Sequence, residues 1–211
     1  MRRHRNMRRH ICFAMLAGVF ATAAAIIPFG GAQAASCEAG KSRADMTEAD
    51  AQAVYDCLQS VMYENYNKGG KNWIPAEYVK NYRDWKLANT APAAPGFHGD
   101  RYLMTWVNPV GYDAYVEFRD ENVEIPAGTI IAKESFDVAE NGSAKAGPLF
   151  IMQKVEEGRS PETLDWYYMM VSPGGAPVAV DVISACSECH KENFGHQGGL
   201  GYPVLDVRVG N

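Results

Sequence analysis

The chain has no excess of basic residues. Its 20 Lys and Arg stand against 25 Asp and Glu, for a net charge of −5. Nucleic-acid recognition needs a basic footprint, so this balance excludes it as a partner. There is no internal repeat and no low-complexity tract. No apolar run reaches the ~20 residues that a membrane helix needs; the longest, residues 11–27, ends at Pro28. Histidine is scarce: of five, His4 and His10 sit in the first ten residues, leaving His98, His190 and His196 for ligand chemistry. Five cysteines are too few for a disulfide scaffold.

Arg2, Arg3, Arg5, Arg8 and Arg9 precede the apolar run, with no acid among them, and Ala32-Gln33-Ala34 follows it. This is the order of a secretory signal peptide cleaved after residue 34; the alternative is a membrane anchor. Ser36-Cys37 and Arg8-Arg9 fit lipoprotein and twin-arginine signals poorly. Cleavage leaves about 177 residues, enough for one domain core. It also leaves 15 basic residues against 25 acidic ones, a surface suited to small neutral or cationic molecules or to a basic redox partner.

Thr47-Glu48-Ala49-Asp50 reads as a helix start, with a hydroxyl N-cap and acids in the first turn. Val54, Cys57, Leu58, Val61 and Met62 recur at helical spacing up to Gly69-Gly70. Beyond residue 74 the pattern is of strands, at 102–107, 129–136, 149–155 and 166–171. A short helix is expected over 110–118, and an apolar run spans 177–183. The chain therefore divides into a signal peptide (1–34), an N-terminal helical extension (35–75) and a main domain (76–211). The expected class is α+β, an antiparallel sheet with helices at its ends and edges.

Cys186-Ser187-Glu188-Cys189-His190 is the pattern of covalent c-type haem attachment. Each thiol can form a thioether with one haem vinyl group while His190 reaches the iron. Such attachment takes place outside the bacterial cytoplasm, which agrees with a signal peptide and a periplasmic location. A zinc site is the alternative, but it would want further paired Cys or His ligands. Cys12 leaves with the signal peptide, so Cys37 and Cys57 form an even pair in an oxidising compartment, where a disulfide is the default; the alternatives are free thiols or a lipidated Cys37. A sixth iron ligand is not evident: Met104, Met152, Met169 and Met170 all fall in expected strands, and His98 and His196 in loops. Methionine ligation would give an electron-transfer cytochrome.

Lys133 is unusual within an apolar strand, sharing one face with Ile131 and Ser135. Asp181 is the lone carboxylate of the 177–183 run, an environment that raises a carboxyl pKa and suits proton transfer.

Five segments together resemble the cytochrome P-460 family: Tyr82-Arg83-Asp84-Trp85; Trp106-Val107-Asn108-Pro109 with Tyr112; residues 126–134 with Gly128-Thr129 and Lys133-Glu134; Asp165-Trp166-Tyr167; and residues 186–193. The likeness extends over roughly residues 76–206 and leaves out the helix bearing Cys57. It implies an antiparallel sheet cradling one covalent haem c per chain, with His190 on the iron and Lys133 linked covalently to the porphyrin, which helps hold the iron five-coordinate. It implies oxidation of hydroxylamine or a related small nitrogen compound, an electron-acceptor protein and, commonly, a homodimer. Related β-sheet cytochromes c′ lack the link and bind nitric oxide, so the non-catalytic alternative is gas binding or electron transfer on the same fold. Asp181 and Arg101 are the expected catalytic residues. Hydroxylamine-oxidising members carry an arginine on the strand at the position of Leu103, with Arg101 two residues earlier on the same face.

Overall fold

The computed structural model describes residues 37–178 and 182–211. The expected signal peptide, Cys12 and Asp181 lie outside the described residues. Among these, the elements in chain order are β1 (Cys37–Glu38), α1 (Glu48–Tyr66), α2 (Ala76–Asn81), β2 (Lys86–Leu87), β3 (Tyr102–Val107), α3 (Tyr112–Tyr115), β4 (Ile130–Val138), β5 (Ser143–Ala146), β6 (Leu149–Lys154), β7 (Trp166–Val171), β8 (Pro177–Val178) and α4 (Glu188–Phe194). All strand pairs are antiparallel. The main path runs β1-β5-β4-β6-β7-β8, and β3 flanks β4 with β2 outside it.

The period-two alternation of the strands creates two faces. Tyr102, Met104 and Trp106 of β3 share one with Ala132 and Phe136 of β4 and Leu149 and Ile151 of β6. The buried stripe of α1 (Ala51, Val54, Tyr55, Leu58, Met62 and Tyr66) packs there in a single apolar core. Thr47 caps α1 through the Asp50 amide, and the Asp50 carboxylate returns a bond to the Thr47 amide, a reciprocal capping box. A disulfide between Cys37 and Cys57 ties β1 to this helix.

Glu134 is the charged member of that core, with no exposed side-chain surface. It accepts hydrogen bonds from Tyr55 (2.8 Å), Tyr82, and Arg83 Nε and Nη2 (2.8 and 2.6 Å). Two hydroxyl donors and a guanidinium offset the desolvation of the carboxylate.

The opposite face carries Val107, Ile131, Met152, Trp166 and Tyr168, which pack against the C-terminal segment through Leu200 and Cys186. A single π-helical turn, Val182–Ser187, runs directly into α4. The same sheet therefore separates a structural core beneath α1 from a second compartment beneath the cysteine-bearing helix.

Candidate functional site

The second compartment contains a cavity of about 320 Å³. Its sheet side is built from Ile131 and Lys133 of β4, Phe150 and Met152 of β6, and Tyr168 and Met170 of β7. Cross-strand register puts these six on one face: Lys133 lies opposite Phe150, Ile131 opposite Met152, Met152 opposite Tyr168, and Phe150 opposite Met170. The other side is Cys186, Cys189 and His190 with Phe194, and Phe97 and His98 also line the cavity.

Cys186 and Cys189 are three residues apart across the junction of the π-helical turn and α4, and so project to one side. Hydrogen bonds tie that helix to the turn between β6 and β7 and brace its own backbone. Lys191 Nζ and Ser187 Oγ both donate to the Glu162 carbonyl, at 2.9 and 3.3 Å. Asn193 Nδ2 donates to the Cys189 carbonyl at 2.9 Å. His190 is buried, and its Nδ1 lies 2.6 Å from the Gly199 carbonyl oxygen. A carbonyl only accepts, so Nδ1 carries the proton and Nε2 keeps its lone pair for another partner. Gly199 reaches this position with φ of +83°, and Trp166 Nε1 holds the neighbouring Gly198 carbonyl at 2.9 Å. Burial pushes the imidazole pKa of His190 down to about 4, so the ring is neutral at neutral pH.

Lys133 is buried in the same cavity, its Nζ donating to the Gly201 carbonyl at 2.8 Å. Among the described residues no carboxylate pairs with it, and desolvation lowers its pKa to about 8. An amine so placed has a substantial neutral, nucleophilic fraction near neutral pH.

His98, which as a sequence element reads as a polar loop residue, turns into this cavity. Its ring centroid lies 4.5 Å from that of Phe150 and 6.1 Å from that of His190. Desolvation is the largest cause lowering its pKa, to about 3, with the nearby Lys133 charge adding to it. His98 Nδ1 and the Tyr168 hydroxyl are both buried and have no hydrogen-bond partner among the described residues.

These features fit a haem. Two thiols and an imidazole with an oriented lone pair converge on one apolar cavity, and two buried polar atoms on its wall await partners. Cys186 and Cys189 would hold the vinyl carbons and His190 the iron. The zinc alternative finds no support: among the described residues no three His, Cys, Asp or Glu side chains cluster as metal ligands. Of the methionines, Met152, Met169 and Met170 reach the cavity wall, whereas Met104 sits in the core beneath α1.

Arg101 stands elsewhere than expected. It does not line the cavity; its Nη1 donates to the His98 carbonyl at 2.6 Å and so holds the loop before β3. Leu103 is also off the cavity wall, with its backbone bridging Ala93. His196 is exposed in the turn after α4. Among the described residues no helix is long and apolar enough to cross a membrane.

No curated protein matches the chain. Residues 79–197, more than half of its length, match the sequence profile of the family described as Cytochrome P460. With that match, the chain belongs to the cytochrome P460 family, and haem is its implied cofactor.

Proposed function

We propose that the protein is a periplasmic mono-haem c-type cytochrome of the P460 type that oxidises hydroxylamine or a related small nitrogen compound. The observation that carries this reading is the convergence of Lys133 with Cys186, Cys189 and His190 on one cavity. A haem bound there supplies a metal site for a small ligand and a route for electrons. The chain's residues do the rest. Cys186 and Cys189 fix the group covalently, and His190, held by Gly199, presents Nε2 to the metal. Lys133 would hold the porphyrin through its amine, the nitrogen–carbon bond replacing one N–H and one C–H hydrogen, with an external two-electron oxidant such as a peroxide taking up both. Asp181, the single acid in an apolar run five residues before Cys186, accepts protons as the substrate is oxidised. Arg101 is a positioning residue that holds the His98 loop. An electron-acceptor protein takes the electrons, and a homodimer is the assembly that fits the family.

A second reading, a nitric-oxide-binding or electron-transfer cytochrome, is favoured by one feature: Arg101 does not line the cavity, and among the described residues no other arginine does. Intact mass and turnover of the exported protein separate the two. The enzyme reading expects polypeptide plus one haem less two hydrogens, and steady oxidation of hydroxylamine with an artificial electron acceptor. A haem-loaded protein of unreduced mass that shows no turnover would establish the second reading.

A further inference from the structure

The cavity has two ends, and strand register separates them. Ile131, Met152 and Tyr168 form one row across the sheet, and Lys133, Phe150 and Met170 form the next. Rows two residues apart along a strand are separated by about 7 Å. The first row belongs to the thiols. The Tyr168 ring lies 5.1 Å from that of His190, and burial, then the two cysteines, raise the pKa of its hydroxyl. The second row belongs to His98, whose ring lies 4.5 Å from that of Phe150. His98 is also 6.1 Å from His190, centroid to centroid, so it stands at the rim of the cavity, beside both the sheet and the helix that enclose it.

This end is cationic and incompletely paired. The backbone is left-handed at His98, Gly99 and Asp100, with φ of 57°, 73° and 55°, and each such residue that is not glycine stores of order 1–3 kcal/mol. Arg101 holds the loop in this form through the His98 carbonyl. The arginine is itself closely packed: a Cβ on Gly99 would overlap its Nη1, and one on Gly147 would lie 2.9 Å from its Cδ. Yet His98 Nδ1 and Arg101 Nε are both buried with no hydrogen-bond partner among the described residues. Neither Arg101 nor Lys133 meets a carboxylate among those residues. Two orphaned nitrogens beside an unbalanced cation call for an acceptor that carries negative charge.

A c-type haem supplies one. Its two acid side chains lie on the edge of the porphyrin opposite the pair of vinyl carbons that the thiols take. With Cys186 and Cys189 at one end of the cavity, the acids fall toward the other. We propose that His98 and Arg101 form a carboxylate clamp for the acid side chains of the haem. His98 donates from Nδ1 to a carboxylate. Arg101, which stands behind it and off the cavity wall, is a positioning residue that holds the imidazole and supplies the balancing charge. This rests on the reading of Cys186, Cys189 and His190 as the haem attachment site, and it leaves the iron with His190 as its one protein ligand. The clamp fixes how the haem is turned about its thioether bonds. Its charge also favours the electron-rich ferrous form.

The test is resonance Raman spectroscopy of the exported, haem-loaded ferric protein, which reads the bending band of the haem's acid side chains, together with the reduction potential. In His98→Ala and in Arg101→Gln that band moves to lower frequency and the potential falls, while the spin-state bands stay as in the wild type. His98→Asn, which suits the left-handed backbone and keeps a donor near the position of Nδ1, restores the band. Should alanine fail to fold, His98→Gly removes the donor at no backbone cost, and the same shift is expected of it. A band that stays in place in either the His98 or the Arg101 variant overturns the proposal. So does a wild-type band that moves when inorganic phosphate is added, which would assign the site to a free anion. Intact mass keeps these outcomes apart from failure of the attachment reading: a chain without covalent haem contradicts the latter, whereas a haem-loaded chain with an unmoved band contradicts the clamp alone.

Discussion

Lys133 and Glu134 are neighbours in β4 and face opposite sides of the sheet: the amine enters the cavity beside His190, and the carboxylate enters the core beneath α1. The Lys-Glu pair within the family-like segment is therefore two devices joined by one peptide bond. One serves the site and the other ties Tyr55, Tyr82 and Arg83 to the sheet. Substitutions at the two positions should separate function from stability.

On the structural side, Glu134→Gln removes the charge that balances Arg83 while leaving the cavity intact. Breaking a buried, hydrogen-bonded pair costs about 3–5 kcal/mol. The expected outcome is a clear fall in the urea midpoint with an unchanged visible haem spectrum. Replacing both partners, as in Glu134→Leu with Arg83→Met, should recover part of the loss. An altered spectrum in Glu134→Gln would contradict the separation of the two faces.

On the site side, Lys133→Met should change the spectrum and the intact mass with little loss of stability. The Gly201 carbonyl that Lys133 satisfies is also bonded by the Tyr115 hydroxyl at 3.1 Å, so it is not left unpaired. The stability change is expected to stay below about 1.5 kcal/mol, the range of one neutral hydrogen bond. A large drop in the melting temperature would assign Lys133 a structural role instead.

The Lys133 amine also sets a pH dependence. Burial depresses its pKa to about 8, so the ammonium is the disfavoured form and the neutral amine gains as pH rises through that value. An amine with this pKa is roughly one-tenth neutral at pH 7 and nine-tenths neutral at pH 9. If the neutral amine attacks the porphyrin, the two-hydrogen mass deficit should form faster at pH 9 than at pH 7 when the bond is allowed to form during assembly. Equal rates across that window would rule out the free amine as the limiting species.

The residues that line the cavity were legible where a local pattern names them. The thiol pair with histidine, the lysine in an apolar strand and the four longer strands all follow from spacing and alternation, and the family profile begins at residue 79, close to the expected start of the likeness at 76. His98 was not legible. Its approach to the cavity depends on three left-handed residues and on Arg101 holding a carbonyl, neither of which leaves a periodic trace. Arg101 lies one residue before β3 and off the cavity wall, because strand alternation gives a side and not a distance along it. The short strands β1, β2 and β5 also escape sequence reading. Ser143-Ala144-Lys145-Ala146 has little hydrophobic contrast, and its pairing with β4 is set by the long neighbour.

Asn108 and Gly111 account for a second family-like segment in the same physical terms. The Asn108 carboxamide oxygen accepts from the Ile130 amide at 3.0 Å, and its nitrogen donates to the Gly128 carbonyl at 2.9 Å. It thus joins the end of β3 to the start of β4. Gly111 packs so closely on Thr129 that a Cβ would overlap that side chain. Asn108→Ala should strand a buried amide at a cost of about 1–3 kcal/mol, and Gly111→Ala should force the Thr129 side chain aside at a similar cost from overpacking. Because Lys133 lies three residues beyond Ile130, both changes should also shift the haem spectrum, and Asn108→Asp, which keeps the acceptor, should lie between. Wild-type stability in Gly111→Ala would show that the two turns are free to separate.

The disulfide gives the last prediction. Cys37 and Cys57 are separated by 20 residues, and the bond holds β1 against β5 while its other end sits in α1. In the chain-entropy account a loop of this length contributes about 3 kcal/mol. Cys37→Ala with Cys57→Ala should lower the urea midpoint accordingly while leaving the haem spectrum unchanged, because the bond lies on the α1 side of the sheet. Reduction of the disulfide in the purified, haem-loaded wild type should reproduce that loss. A double variant as stable as the wild type would mean that packing of α1 on the sheet already fixes this segment, and that the bond only records an oxidising compartment.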